Sequence, residues 1–165
     1  MQRHRQASQG FTLVELLVAT AVIGIIAAMA GPNFKAWSRT YQLKNATTAL
    51  YGHMQNARMG AIKDNRPWAV NFNPGGLEGY EVRNSLGRVT RRVDFNTQYG
   101  ASVRFQHPQA APPVDRGTIV FRPNGSSDAG FAYLAARDST RYYRVGLALA
   151  NGNTRIQKWV SSSWQ

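Results

Sequence analysis

GFTLVELLVATAVIGIIAAMAG, residues 10–31, is apolar apart from Thr12, Thr20 and Glu15. Coiled as an α-helix at about 1.5 Å per residue, residues 11–31 extend about 30 Å, the thickness of a bilayer core. Residues 1–10, MQRHRQASQG, are polar and carry Arg3 and Arg5. Basic residues before the apolar run and a longer domain after it set the N-terminus on the cytoplasmic side.

Glu15 separates three readings of this block. In a secretory signal peptide or a plain membrane anchor, a carboxylate early in the apolar core costs about 2.5–3.5 kcal/mol on insertion scales. Ala28-Met29-Ala30 has the small-x-small form of a signal-peptidase site, yet Glu15 counts against that reading. In the third reading the charge has a use. Gly10-Phe11-Thr12-Leu13-Val14-Glu15-Leu16 resembles the processing motif of type IV prepilins and type II secretion pseudopilins. The resemblance implies that residues 1–10 are a leader, that a prepilin peptidase cuts between Gly10 and Phe11, and that Phe11 is then N-methylated. It also implies that Glu15 serves assembly. A carboxylate that is expensive alone in lipid can pair with the freed α-amine of Phe11 on an adjacent subunit.

Gly31 and Pro32 interrupt the apolar run. Proline removes a backbone donor and crowds the carbonyl four residues back, so a bend of the helix is expected there without its ending. Residues 32–65 are rich in helix formers. Phe34, Trp37, Tyr41, Ala46, Leu50, Met54, Ala57 and Ala61 recur at threes, fours and fives, an amphipathic stripe expected to cover the rest of the chain. One helix from about Thr12 to Asp64 is expected, stopping at Asn65-Arg66-Pro67. His53 falls on it with no second metal-type ligand at a suitable spacing, and is read as an ordinary half-exposed histidine.

From residue 66 to 165 the pattern becomes short β-like runs between turn residues. Strands are expected at residues 68–73, 80–83, 89–95, 102–106, 118–122, 131–135, 142–150 and 154–160. Asn151-Gly152-Asn153 is read as the turn of a hairpin joining the last two. Residues 107–117, with Pro108, Pro112 and Pro113, read as a surface loop. The expected fold class is α+β: a long N-terminal membrane-spanning helix packed on a C-terminal domain of antiparallel sheet.

Ala57-Arg58-Met59-Gly60-Ala61-Ile62-Lys63 resembles the helix end of the GspH/FimT family of minor pseudopilins and pilins. Phe121-Arg122-Pro123-Asn124-Gly125 resembles that family's turn after a central strand. The family carries a β-rich domain on a helical stem, so the resemblance spans the whole chain.

The 165 residues include 20 basic and 8 acidic ones, a net charge of +12, and no cysteine. That composition excludes a disulfide framework and thiolate metal sites. No phosphate loop, His-Glu metal motif or serine elbow occurs, so no catalytic residue, metal, cofactor or small-molecule substrate is expected. Arg88, Arg91 and Arg92 form one basic cluster; Arg137, Arg141, Arg144, Arg155 and Lys158 form another, interleaved with Tyr142, Tyr143, Trp159 and Trp164. Arginines among aromatics suit a nucleic-acid backbone and its bases. Arg141, Arg144, Arg155 and Lys158 are therefore candidate DNA or polyanion contacts. Some members of the resembled family bind DNA through a G-R-x-R turn; here Gly152-Asn153-Thr154-Arg155 keeps the second arginine and has Asn for the first.

The expected role is that of a GspH-like minor pseudopilin of a type II secretion system, single-pass in the bacterial inner membrane with its C-terminal domain periplasmic. Its partners would be other pilin-type subunits, met through the helix, and the prepilin peptidase. Two alternatives stay open: a FimT-like minor pilin of a type IV pilus that binds DNA, and a signal-anchored periplasmic enzyme.

Overall fold

The computed structural model describes residues 11–109, 111–137, 141–160 and 162–165, and for residues 29–36 the backbone alone. Helix α1 runs over Leu13–Asp64, 52 residues. It passes through two compact units, residues 1–37 and residues 38–165. The bend expected at Gly31 and Pro32 falls where side chains lie outside the description; the helical assignment continues through both residues.

In the second unit α1 is followed by β1 (Trp68–Phe72), β2 (Gly79–Arg83), β3 (Val89–Asp94), a short helix α2 (Phe95–Tyr99), β4 (Val103–Phe105), β5 (Thr118–Phe121), β6 (Gly130–Ala136), β7 (Tyr142–Leu147), β8 (Arg155–Val160) and β9 (Ser163–Trp164). The strands form two antiparallel sheets, ordered β3-β2-β1-β5 and β4-β6-β7-β8-β9. The α+β class and the antiparallel sheets are as the sequence led one to expect.

The helix buries Leu43, Ala46, Thr47, Leu50, Met54, Ala57 and Ala61. These positions recur every three or four residues, so one face of the helix meets the sheets. The expected stripe is right from Ala46 onward and wrong before it. Trp37 and Tyr41 are 62% and 55% exposed, and Leu43 is the buried residue instead. At about 100° per residue, the five-residue step from Tyr41 to Ala46 leaves the face that a step from Leu43 keeps. Phe34 lies among the side chains not described. Val70, Tyr80, Val82, Ile119 and Phe121 of the first sheet and Val103, Leu134, Val145 and Leu147 of the second share one core with this face of α1.

The short helix α2 was not foreseen. Asp94 ends β3 and caps it, its Oδ1 accepting from the Asn96 N–H at 2.9 Å and its Oδ2 from the Thr97 hydroxyl at 2.9 Å. Its Phe95 is fully buried and joins the two sheets, with its ring 6.1 Å from Tyr80 of β2 and 4.8 Å from Phe105 of β4. Strand β7 ends at Leu147 rather than residue 150, so residues 148–154 form a longer connection than a tight hairpin.

Candidate functional site

The helix start is built by Thr12. Its hydroxyl oxygen accepts the Glu15 N–H at 3.2 Å, and its carbonyl accepts the Leu16 N–H at 3.1 Å. Thr12 is thus the N-cap, and Glu15 stands three residues on, the spacing of a capping box. The Thr-x-x-Glu spacing carries this signal in the sequence. These two residues of the prepilin-like motif therefore also define where the helix begins. A carboxylate in the first turn is favoured by the helix dipole. Gly10 lies outside the described residues.

Every side chain from Phe11 to Ala28 is exposed, with Phe11 at 80% and Leu16, Leu17, Ile23, Ile25 and Ile26 all above 60%. These residues cover all sides of the helix, so the apolar surface is a full cylinder rather than a face. Among the described residues no helix is long and apolar enough to cross a membrane. The apolar stretch with described side chains, residues 13–28, is shorter than the roughly 20 residues a span takes. The last residues of the expected 11–31 span have side chains outside the description.

The four candidate polyanion contacts do not form one patch. Val145 and Leu147 of β7 are fully buried, so alternate residues of that strand point away from the core. Arg144 pairs with Gln157 and Gly146 with Arg155, which places Arg144 and Arg155 on the outer face; Lys158 pairs with Tyr143 and belongs to the opposite face. Arg141 reaches helix α1, its Nη1 donating to the Thr40 hydroxyl at 3.1 Å. Arg144 is held between aromatic rings, 4.2 Å from the Phe131 centroid and 4.8 Å from that of Trp164, and its Nε donates to Gln157 Oε1 at 2.9 Å. Trp164 also contacts Trp159 at 4.9 Å and Tyr133 at 5.5 Å, so the two interleaved tryptophans pack on each other. Arg155 remains exposed on β8.

Two other residues organise the domain and were not singled out. Arg58 of α1 donates from Nε to the Gly125 carbonyl at 3.0 Å and from Nη1 to Asn153 Oδ1 at 3.3 Å. One side chain therefore holds both the turn after β5 and the turn before β8. Gly152, at φ +76°, lies so close to the Gly125 carbonyl that an added Cβ would stand 1.9 Å from the oxygen. Asn153 thus answers Arg58 at the position where a DNA-binding turn would present arginine. The second residue is Glu81 of β2, 2% exposed, bonded to Arg83 at 2.8 Å and to Arg92. Burial pushes its carboxyl pKa up, but the hydrogen bonds from Arg92 and Arg83 outweigh this and hold it below the ordinary value.

Four other described carboxylates of this unit are also structural. Asp128 takes Arg122 at 2.7 Å, Asp115 takes the Phe131 N–H at 2.9 Å, Glu78 faces Arg137 at 3.5 Å, and Asp94 caps α2. Among the described residues no group of histidine and carboxylate side chains could hold a metal ion.

An N-terminal helix with an exposed apolar shaft, continuing into a helix covered by two antiparallel sheets, is the architecture of a pilin-type filament subunit. The sequence comparisons agree. The prokaryotic N-terminal methylation motif matches residues 5–31, and the family of the type II transport protein GspH matches residues 46–151. The chain belongs to that GspH family. It is 43% identical over 54 residues to the type IV major pilin protein PilA of Myxococcus xanthus, an alignment covering 31% of this chain and 24% of PilA. The chain thus matches only about a quarter of that relative. The type IV minor pilin FimU of Pseudomonas aeruginosa has the same fold. Its two crystal forms align with TM-scores of 0.54 and 0.50 at 16% identity, covering 78% and 74% of this chain and 96% and 97% of FimU.

Proposed function

We propose that the chain is a minor pseudopilin of a type II secretion system, a structural subunit whose work is mechanical. In this reading it is made as a precursor, cut after Gly10 by the prepilin peptidase, methylated at Phe11, and held in the bacterial inner membrane by residues 11–31. Its N-terminus is cytoplasmic and its globular unit periplasmic, and assembly draws it into a filament alongside other pilin-type subunits. The observation that carries the reading is the apolar shaft exposed on every side of residues 11–28, with the Glu15 carboxylate exposed within it. Such a surface needs lipid before assembly and like helices afterwards. The matched methylation motif supports the processing steps.

Glu15→Ala should be cut and methylated as the wild type is, by mass spectrometry of the N-terminal peptide, but be missing from purified filaments. Incorporation at the wild-type level would refute the role given to the carboxylate.

A second reading, a minor pilin of a type IV pilus that binds DNA, is supported by the PilA identity and by the exposure of Arg155. It requires the full chain in non-ionic detergent to retard DNA in a salt-dependent way, and Arg155→Glu to abolish the retardation. Retardation that survives Arg155→Glu would remove that residue from the reading.

A further inference from the structure

Strand β3 is the edge of its sheet, and its pairing with β2 is irregular. Val82 pairs with Arg91 and Arg83 with Val89, which leaves Thr90 as the extra residue of a β-bulge. The Thr90 hydroxyl donates to the Val82 carbonyl at 3.1 Å and fixes the bulge. Val82 is buried in the core, so its partner Arg91 stands on the core-facing side of the sheet. The two neighbouring arginines, Arg83 and Arg92, are held by Glu81 on the other face. Arg91 has no counter-ion among the described residues.

Opposite Arg91, across the open end of the sheet, is helix α1. A cavity of about 160 Å³ lies between them, lined by His53, Asn56, Trp68, Val82, Thr90 and Arg91. No carboxylate lines it. His53 Nδ1 is 2.7 Å from the hydroxyl of the fully buried Tyr80. Burial drives the Tyr80 pKa far up, so the hydroxyl keeps its proton and can donate to Nδ1. In that arrangement the ring proton is on Nε2, which is then a donor. Trp68 is pinned at one wall by its indole N–H, which donates to Asp64 Oδ2 at 2.8 Å. The cavity thus presents a guanidinium, an imidazole N–H and the amide of Asn56, with no negative group to satisfy them.

We propose that this cavity is a binding site for a carboxylate, with Arg91 supplying the charge and His53 and Asn56 supplying further donors. A guanidinium offers the paired N–H geometry that a carboxylate accepts. The ligand is either a free small carboxylate or the side chain of an Asp or Glu on another protein; the chemistry of recognition is the same. An inward-pointing charge on an edge strand also discourages sheet-to-sheet pairing. That role would need neither the cavity nor the donors facing Arg91.

Among the described residues, the groups that act on the His53 ring are Tyr80 from β2 and Arg91 from β3, with Tyr99 of α2 acting on Tyr80. Burial first, and the Arg91 charge second, hold His53 below its ordinary pKa, so the empty site keeps it neutral near pH 7. A bound carboxylate offsets the Arg91 charge and favours His53 protonation, so binding tightens as pH falls through the His53 pKa.

The test uses the full chain in non-ionic detergent micelles, with His53 ring resonances followed by NMR. Acetate replaces chloride at constant ionic strength, and in a parallel arm a capped tripeptide with one Glu is the probe. The expected result is a saturable shift of the His53 resonances, a His53 pKa that rises on binding, and affinity at least tenfold weaker in Arg91→Gln but unchanged in Arg88→Gln. Tighter binding of the peptide than of acetate by tenfold or more assigns the site to a protein-borne carboxylate, and equal binding to a free one. A shift that stays linear, or is the same in Arg91→Gln, overturns the proposal and leaves Arg91 as an edge guard.

Discussion

Replacing Arg58 by methionine keeps most of the side-chain volume and removes both of its hydrogen bonds. The bond from Nε to the Gly125 carbonyl is part-buried and 3.0 Å long; a hydrogen bond from a charged donor of this kind contributes about 1.5–3 kcal/mol. The bond to Asn153 is exposed and 3.3 Å long, so it adds little, roughly 0.5 kcal/mol or less. The expected loss is therefore about 2 kcal/mol, nearly all of it from the Gly125 carbonyl left without its donor. At roughly 3–5 °C per kcal/mol for a domain of this size, the melting midpoint should fall by about 6–10 °C. Denaturant unfolding of the full chain in detergent, followed by tryptophan fluorescence, measures the free energy directly. Asn153→Ala should cost less than a quarter as much. Gly152→Ala should cost more than Arg58→Met, because the new Cβ meets a backbone oxygen at 1.9 Å in a left-handed conformation. A stability of Arg58→Met within about 0.5 kcal/mol of wild type, on a scale where point changes typically cost 0.5–3 kcal/mol, would show that the two turns hold themselves and that the latch is incidental.

Glu81 has a pKa below the ordinary 4.5, so it contributes stability that is present above that value and lost as pH falls through the folded pKa. Glu81→Gln should flatten this part of an acid-unfolding curve, read by circular dichroism, and leave the neutral range sloping as before. Gly60→Ala should be destabilising although alanine favours helix, because its Cβ would meet the Trp68 ring at 2.6 Å; the expected loss is about 1–3 kcal/mol by denaturant unfolding. Leu50→Ala, in the fully buried stripe of α1, should cost about 2–5 kcal/mol in the same assay.

What can be read locally was legible in the chain. The apolar run, Glu15 within it, the helix formers up to Asp64 and the eight strand runs depend on neighbours a few residues away, and periodicity reports them. The helix N-cap at Thr12 was legible too, by the Thr-x-x-Glu spacing. The helix α2 was marked only by Asp94, a residue that reads equally well as a strand end or a turn.

The arrangement of side chains from distant segments was not legible. Arg58 finds its partners 67 and 95 residues away, and nothing in its own neighbourhood points to either. The basic cluster near the C-terminus looked continuous along the chain, but the pleat of β7 and β8 sends its members to opposite faces, and one packs between aromatic rings. Whether a charge is free or already answered depends on strand register and on what packs above it. Glu81 is masked by two arginines, while Arg91, ten residues on, is set on the core-facing side by its pairing with Val82. The long helix, most of the strands and the apolar character of the N-terminal shaft follow from the order of residues alone, because those properties are local. Which arginines remain available does not follow from that order, because availability is a property of contacts made across the whole fold.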